Sequence, residues 1–326
     1  MVFELLIVDT VNSIVCSPAV EEEVEWSLER RGAPGRLTFR VLEDAYLICQ
    51  EGAVVQFRME NKPVFFGFVF TKKRDKAGIM EITAYDQLRY LKNKDTYVYR
   101  NLTATQFIQM LASDFHLQTG GLENTGFVIA SRREENTALF DMVESALDLT
   151  LMNTKEMFVL YDDFGKLTLK NISNMYVGGN GAYLVIDAET GENYEYTSSI
   201  DSETYNKIKL TYDNEETGKR EVYIAQHGEN MNRWGTLQYF DTLQKGENGQ
   251  AKADAMLQLY NKKTRNLKIT DAFGDIRVRA GSLILVNLNL GDIAVKNFML
   301  VEKVVHKFKK SGHWMDLTLR GGEFVA

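Results

Sequence analysis

A chain of 326 residues, 44% of them hydrophobic, can bury two or three cores at the usual domain length of roughly 100 to 200 residues. A formal net charge of -7 argues against a nucleic-acid binder, which carries a basic face; two cysteines, Cys16 and Cys49, exclude a disulfide framework and read as buried reduced thiols. No apolar run is long enough to span a membrane, and residues 1–11, interrupted by Glu4 and Asp9 with no basic leader or small-residue cleavage site, read as lacking an export signal.

In chain order, strands come first. Val20, Val24, Trp26 and Leu28 alternate with Glu21, Glu23, Glu25, Ser27 and Glu29, broken only at Glu22, which reads as a half-buried strand with an acidic outer face. After the turn Arg31-Gly32-Ala33-Pro34-Gly35, the residues Leu37, Phe39 and Val41 alternate with Arg36, Thr38 and Arg40. The two segments predict an antiparallel pair, Glu face against Arg face. A strand over Val54–Met59 and a hairpin follow, the latter running through Val64-Phe65-Phe66-Gly67-Phe68-Val69-Phe70, a basic stretch over 71–78, and Ile79-Met80-Glu81-Ile82-Thr83. Asp86 then caps a short helix that turns Leu88 and Leu91 to one side.

The period changes in the middle third. Thr103 and Gln106 have capping-box spacing, and Phe107, Ile108, Leu111, Ala112 and Phe115 form a helical stripe. A second helix starts after Asn136 or Thr137 and buries Leu139, Phe140, Val143, Ala146 and Leu147. A hairpin over 157–170 turns at Asp162-Asp163-Phe164-Gly165, and Gly178-Gly179-Asn180-Gly181 reads as a flexible boundary.

Strands return in the last third. Ile208, Leu210 and Tyr212 alternate with Lys207, Lys209 and Thr211, and residues 221–225 pair back across the turn 214–218. A polar connection over 226–250 leads to a helix over 251–263 that faces Ala255, Leu259, Met256 and Tyr260 inward. Residues 276–290 and a closing hairpin end the chain. That hairpin, Phe298-Met299-Leu300-Val301-Glu302-Lys303-Val304-Val305, the turn 306–312, and His313-Trp314-Met315-Asp316-Leu317-Thr318-Leu319, repeats the plan of the first. In each, the return strand carries Met, an acid, an aliphatic residue and Thr in that order, so the pattern predicts an internal duplication of a β-domain.

These residues also carry a family resemblance. The closing hairpin, the segment Thr83-Ala84-Tyr85-Asp86-Gln87-Leu88-Arg89-Tyr90-Leu91, the helix start Asn101-Leu102-Thr103-Ala104-Thr105, and Trp26 ahead of the Gly-Ala-Pro-Gly turn resemble the late-control and baseplate hub proteins of contractile phage tails and related injection machines. The resemblance spans essentially the whole chain in element order. It implies a mainly β protein with two tube-like antiparallel β-barrel or sandwich domains, at 1–95 and 181–326, flanking a small α+β module at 96–180, with a helical insertion near 247–264 in the second. It further implies a homotrimer that matches a six-fold tail tube to a three-fold spike. Its partners would be itself, the tube or tube-initiator protein, the spike and other baseplate proteins, with no nucleic acid and no membrane. The site implied is the tail baseplate of a phage or headless bacteriocin-like particle, reached from the bacterial cytoplasm.

The same sequence offers little chemistry. His306 and His313 face each other across the closing hairpin but supply two ligands where a structural zinc site wants four. His116 follows an apolar helix and His227 lies in a polar loop, neither beside a nucleophile motif. Cys49 sits in an apolar run and reads as inert. Glu21, Glu22, Glu23 and Glu25 form a solvated face, Asp162 and Asp163 a turn, and Asp86 a cap, which leaves no acid–base pair of the kind that opens glycosidic bonds. The glycines at 178–181 lack the Gly-Lys-Ser/Thr ending of a phosphate loop. Lys72, Lys73 and Arg74, and Lys307, Lys309 and Lys310, read as solvated hairpin tips, or as tips that dock on an acidic neighbour. No catalytic, cofactor-binding or metal-binding residue is expected, and the competing reading is a tail-associated peptidoglycan hydrolase or cell-wall-binding protein.

Overall fold

A computed structural model describes residues 2–42, 49–191, 193–201, 203–214, 217–243, 247–289 and 294–321. The first third is β. Strands β1 (Phe3–Asp9) and β2 (Ile14–Cys16) form a hairpin whose turn is tied by Asp9, which accepts from the backbone N–H groups of Val11 and Asn12. Strands β3 (Val20–Glu29) and β4 (Arg36–Leu42) are the expected antiparallel pair. The break in alternation at Glu22 falls inside a register shift between Val20 and Val24, where β3 advances four residues against two of β4, and the two extra residues keep the buried face in phase. Arg36 pairs with Glu25 at 3.4 Å and Arg40 with Glu21 at 3.2 Å. Strands β5 (Val54–Met59), β6 (Lys62–Arg74) and β7 (Ile79–Tyr85) complete this part, and Asp86 Oδ1 accepts from Leu88 N to cap a 3-10 turn over Gln87–Lys92.

The middle third forms around one apolar core. It holds β8 (Lys94–Thr103), α1 (Ala104–Asp114), β9 (Thr119–Leu122), β10 (Val128–Ala138), α2 (Leu139–Thr154), β11 (Phe158–Asp162) and β12 (Leu167–Asn171). The capping box is reciprocal: Thr103 Oγ1 accepts from Gln106 N, and Gln106 Oε1 accepts from Thr103 N. Such a cap is worth about 1 kcal/mol. Phe107, Ile108 and Leu111 of α1 pack with Leu139, Met142 and Val143 of α2. The second helix begins later than the sequence suggests. Asn136 and Thr137 belong to β10, and Ala138 stands at the N-cap with no side-chain bond. The glycine cluster is a tight hairpin and not a loose boundary: β13 (Gly178–Gly179) and β14 (Ala182–Tyr183) pair across Asn180 and Gly181, both at positive φ, as a type I′ turn requires. Strand β15 (Val185–Ile186) follows.

In the last third, β16 (Asn193–Ser199) precedes β17 (Lys207–Asn214), β18 (Lys219–Gln226), α3 (Gly228–Trp234), β19 (Gln238–Thr242) and α4 (Gly249–Tyr260). Two of these, α3 and β19, lie in what reads as a polar connection. His227 Nδ1 accepts from Asn230 N to cap α3, and β19 runs parallel to β17. Helix α4 buries Ala253 and Met256, whereas Ala255 and Leu259 are half-buried, so its inner face is rotated from the expected one. The chain ends with β20 (Thr264–Phe273), β21 (Leu283–Asn289), β22 (Ala294–Lys309) and β23 (Gly312–Gly321); Leu290, expected in the strand before the closing hairpin, lies outside the described residues.

Two compact units result, residues 1–195 with 267–319, and residues 196–266 with 320–326. The largest sheet has the order β16-β20-β23-β22-β3-β4-β7-β6-β5-β1-β2, with β21 also paired to β22. The run β3-β4-β7-β6-β5 therefore recurs as β16-β20-β23-β22-β21. The two copies turn alike. Val69 of β6 and Val301 of β22 each accept from a glycine at positive φ, Gly52 and Gly281, and each donates to the following residue, Ala53 or Ser282. The first half of each long strand then pairs with the strand that leaves that turn, β5 or β21.

Candidate functional site

The two copies meet inside the chain where β22, past Val301, pairs with β3, from Lys303 opposite Glu29 to Lys309 opposite Glu23. Charge follows the register. Lys303 and Glu29 lie 2.7 Å apart and Lys309 and Glu23 3.1 Å. At the end of the junction Arg30 N donates to the Glu302 carbonyl, and the Arg30 guanidinium grips the Glu302 carboxylate at 2.7 and 3.2 Å. That forked pair is two-point and largely sheltered, which makes it stronger than an exposed ion pair. Lys307 bridges Asp271 and Asp316 at 3.1 and 2.7 Å.

Beneath these charges the junction is closed by rings. Trp26 stacks on His306 with centroids 4.9 Å apart, and His313 stacks on Phe308 at 4.3 Å. Phe308 in turn meets Phe57 edge-on at 4.8 Å. The strand runs through to Lys309, so His306 is an interior strand residue, while His313 is the second residue of β23, just past a turn confined to Lys310 and Ser311. Likewise, Lys307 and Lys309 belong to paired strand positions, and Lys72, which donates to the Cys49 carbonyl and pairs with Glu51, is no solvated tip either.

Geometry fixes the protons of the histidine pair. His306 Nε2 lies 3.0 Å from the Val278 carbonyl, which can only accept, and His306 Nδ1 lies 2.9 Å from His313 Nε2. His306 therefore carries its proton on Nε2, and His313 donates through Nε2–H to His306 Nδ1. His313 Nδ1 is left as a buried lone pair without a partner. Burial, then the neighbouring imidazole, pushes His306 down to about 3, and burial pushes His313 down to about 4. Both rings are neutral in the fold.

A second buried polar group lies where β11, β4 and the 3-10 turn approach the loop before β21. Asp86 accepts from Gly35 N at 2.9 Å as well as from Leu88 N. Burial, with the charge of Asp162 next, raises its pKa well above the usual carboxylate range. Asp162 accepts from Gly165 N at 2.7 Å, and burial lifts it to about 6 against that bond. Arg279 donates to the Asp162 carbonyl and lies over Trp26 at 5.4 Å and Tyr161 at 4.6 Å. Asp86 and Asp162 are thus more than a cap and a turn residue: they pin the middle third to both β-copies.

The remaining candidates stay apart. Cys49 is buried and its thiol is pushed up to about 11 by burial, while Cys16 is half-buried; neither is in a disulfide. His116 is exposed after α1 and His227 caps α3. Among the described residues no group of three or more His, Cys, Asp or Glu is placed to hold a metal ion, and no helix is long and apolar enough to cross a membrane. Glu21, Glu23, Glu25 and Glu29 of β3 are matched to arginines and lysines in neighbouring strands. The alternation of Val304, His306 and Phe308 with Lys303, Lys307 and Lys309, interrupted by Val305, is the signal that would have placed His306 inward.

Residues 24–320 match the family described as YQBQ-like. The chain belongs to that family. It is 30% identical to the phage-like element PBSX protein XkdQ of Bacillus subtilis (strain 168), over 91% of each chain. Its fold is similar to that of the prophage MuSo2 43 kDa tail protein from Shewanella oneidensis, with a TM-score of 0.69 at 11% identity over 97% of this chain and 98% of that one. It is also similar to the E. coli c3393 protein, a component of the type VI secretion system described as structurally similar to T4 bacteriophage tail proteins gp27 and gp5. That match has a TM-score of 0.56 at 11% identity over 95% of this chain and 76% of the other. The mainly β fold expected from the resemblance is the fold of phage tail proteins, to which this YQBQ-like chain is similar.

Proposed function

We propose that this YQBQ-like protein is a non-enzymatic hub subunit of a contractile-tail baseplate, acting as a homotrimer that joins a six-fold tail tube to a three-fold spike. The observation that carries the reading is the recurrence of one five-strand order within the chain, with the copies already joined edge to edge at β22 and β3. Three chains present six such copies, which a three-fold partner can hold from one side and a six-fold partner from the other. In this reading residues 1–95 and 181–326 are the two tube-like halves, the second with its helical insertion near 247–264, and residues 96–180 are the module set outside them. The tube or tube-initiator protein, the spike and other baseplate proteins are its partners in a phage or bacteriocin-like particle.

The side chains support a binding role over a hydrolytic one. The raised carboxyls of Asp86 and Asp162 are buried in the joint between segments, beside a space of about 10 Å³ that is too small for a sugar. Multi-angle light scattering on the purified chain tests the assembly: a mass of three chains is expected, and a monomer both in solution and in tail particles refutes it. Zymography on cell walls tests the role, since clear lysis by the purified protein would replace it.

A further inference from the structure

The β22–β3 junction is made by a structural device that occurs twice in the chain and, among the described residues, receives a further strand once. In the second copy, β22 pairs with β21 up to Leu300, passes the Gly281 turn at Val301, and offers its remaining edge to β3. In the first copy, β6 pairs with β5 up to Phe68, passes the Gly52 turn at Val69 with the same two backbone bonds, and continues through Phe70–Lys73. Beyond that point β6 is bonded to β7 on one side, and among the described residues no strand lies on the other. The counterpart of β3 in the second copy is β16. It ends the sheet order, and among the described residues it is paired to β20 alone.

We infer that the Phe70–Lys73 edge of β6 is a docking surface for β16 of a second copy of this chain, which adds a strand there as β3 adds to β22. This rests on the hub reading only in requiring more than one copy. An exposed edge is a template for another strand, and main-chain bonds across it give affinity without a pocket. The charge sense is the same. β22 brings lysines and β3 brings glutamates to the existing junction, while the β6 edge carries Lys72 and Lys73 and β16 carries Glu195, which within one chain pair with Glu51, Glu81 and Lys268 and exchange those partners on docking. Thr71, Thr197 and Ser198 are exposed, whereas Trp26, Ser27 and Leu28 at the filled junction are buried. Because the contact uses a different surface from each copy, it is heterologous and can close into a ring.

Disulfide trapping tests it. Thr71→Cys is combined in turn with Thr197→Cys, Ser198→Cys and Ser199→Cys, in a Cys16→Ser, Cys49→Ser background, because paired strand positions bring Cβ atoms to within disulfide range. Mild oxidation is expected to give covalent dimers and trimers for at least one combination and none for any single cysteine. Three-chain particles by light scattering with no covalent chains in any combination overturn the strand assignment and leave the hub reading standing. Covalent dimers from Thr71→Cys alone also overturn it, since they mean that β6 pairs with β6. A chain that associates neither alone nor in particles overturns both.

Discussion

Replacing the buried histidine pair should change how stability depends on pH, and the structure sets both sign and size. In the fold His306 and His313 titrate near 3 and 4 against 6.5 unperturbed. A base whose folded pKa is lowered binds more protons when unfolded. Its stabilisation is complete above pH 6.5 and is lost as the pH falls towards 4 and then 3. At about pH 5, roughly 1.5 units below the unfolded pKa, each ring costs about 2 kcal/mol relative to about pH 8, and the pair about 4 kcal/mol. Asp162 works the other way. Its folded pKa of about 6 lies above the ordinary 3.8, so the fold takes up a proton first and regains about 1.4 kcal/mol over the same interval. The raised Asp86 has the same sign. The wild-type profile alone therefore understates the histidine effect, and the informative quantity is a difference. His306→Phe with His313→Phe keeps rings against Trp26 and Phe308 but removes both protonation sites, while leaving the Val278 carbonyl unpaired at a cost of about 1–3 kcal/mol at every pH. Urea unfolding of wild type and double variant at about pH 8 and pH 5, followed by tryptophan fluorescence, should show the variant gaining about 4 kcal/mol on the wild type as the pH drops. A difference that stays constant within about 0.5 kcal/mol would refute the neutral, proton-fixed pair.

Five further substitutions, two of them comparisons, test other parts of the fold. Gly281→Ala places a Cβ 2.8 Å from the Val159 side chain at a φ of +94°, whereas Gly52→Ala at +87° meets nothing within 4 Å. Gly52→Ala should cost about 1 kcal/mol of backbone strain and Gly281→Ala clearly more, and equal melting shifts would show that the turns are not constrained as described. Glu302→Ala leaves Arg30, whose side chain is 9% exposed, without its forked partner. A loss of about 3 kcal/mol is expected in chemical denaturation, against less than about 1 for Glu29→Ala at the more exposed Lys303 pair. Asp162→Asn keeps an acceptor for Gly165 N and removes a carboxylate that burial disfavours. It should stabilise by about 1–3 kcal/mol at pH 8, with the gain fading as the pH falls below 6; a gain that does not change with pH would mean that Asp162 is not the raised group.

Local patterns in the sequence were legible wherever the physics is local. The capping box at Thr103 and Gln106, the alternation through β3 and β4, and the break at Glu22 all depend on neighbours within a few residues. What escaped depends on distant partners. Val304, His306 and Phe308 alternate as a buried strand should, but Lys307, Lys309 and Lys310 gave the segment the composition of a turn. Asp271, Asp316 and Glu23 from elsewhere in the sheet explain how Lys307 and Lys309 are held. Asp86 reads as a cap because Leu88 N is two residues away; its bond from Gly35 N and its proximity to Asp162 come from the tertiary fold. The repeat was visible in the Met-acid-aliphatic-Thr strands. Its stronger evidence, the matching bonds of Val69 and Val301 to Gly52 and Gly281, lies in backbone geometry that the surrounding side chains do not encode.

The two uses of that turn also explain why the copies differ in composition beyond it. A junction that forms as the chain folds never meets water as an open edge, so β22 and β3 can fill it with Trp26, His306 and Phe308, at a burial gain of roughly 2–3 kcal/mol for a large ring. An edge that closes only when a second copy arrives must first remain soluble. Apolar residues there would recruit any exposed strand, and lysine on an edge is a recognised guard against such pairing. The first copy follows this requirement: after Val69 its long strand turns from Phe70 to Thr71, Lys72 and Lys73, while the second copy continues through alternating buried residues. On that account, substituting Lys72 and Lys73 by Val would make the edge less selective. The isolated chain should then aggregate during refolding at concentrations where the wild type recovers, and unchanged recovery would show that the lysines do not guard the edge.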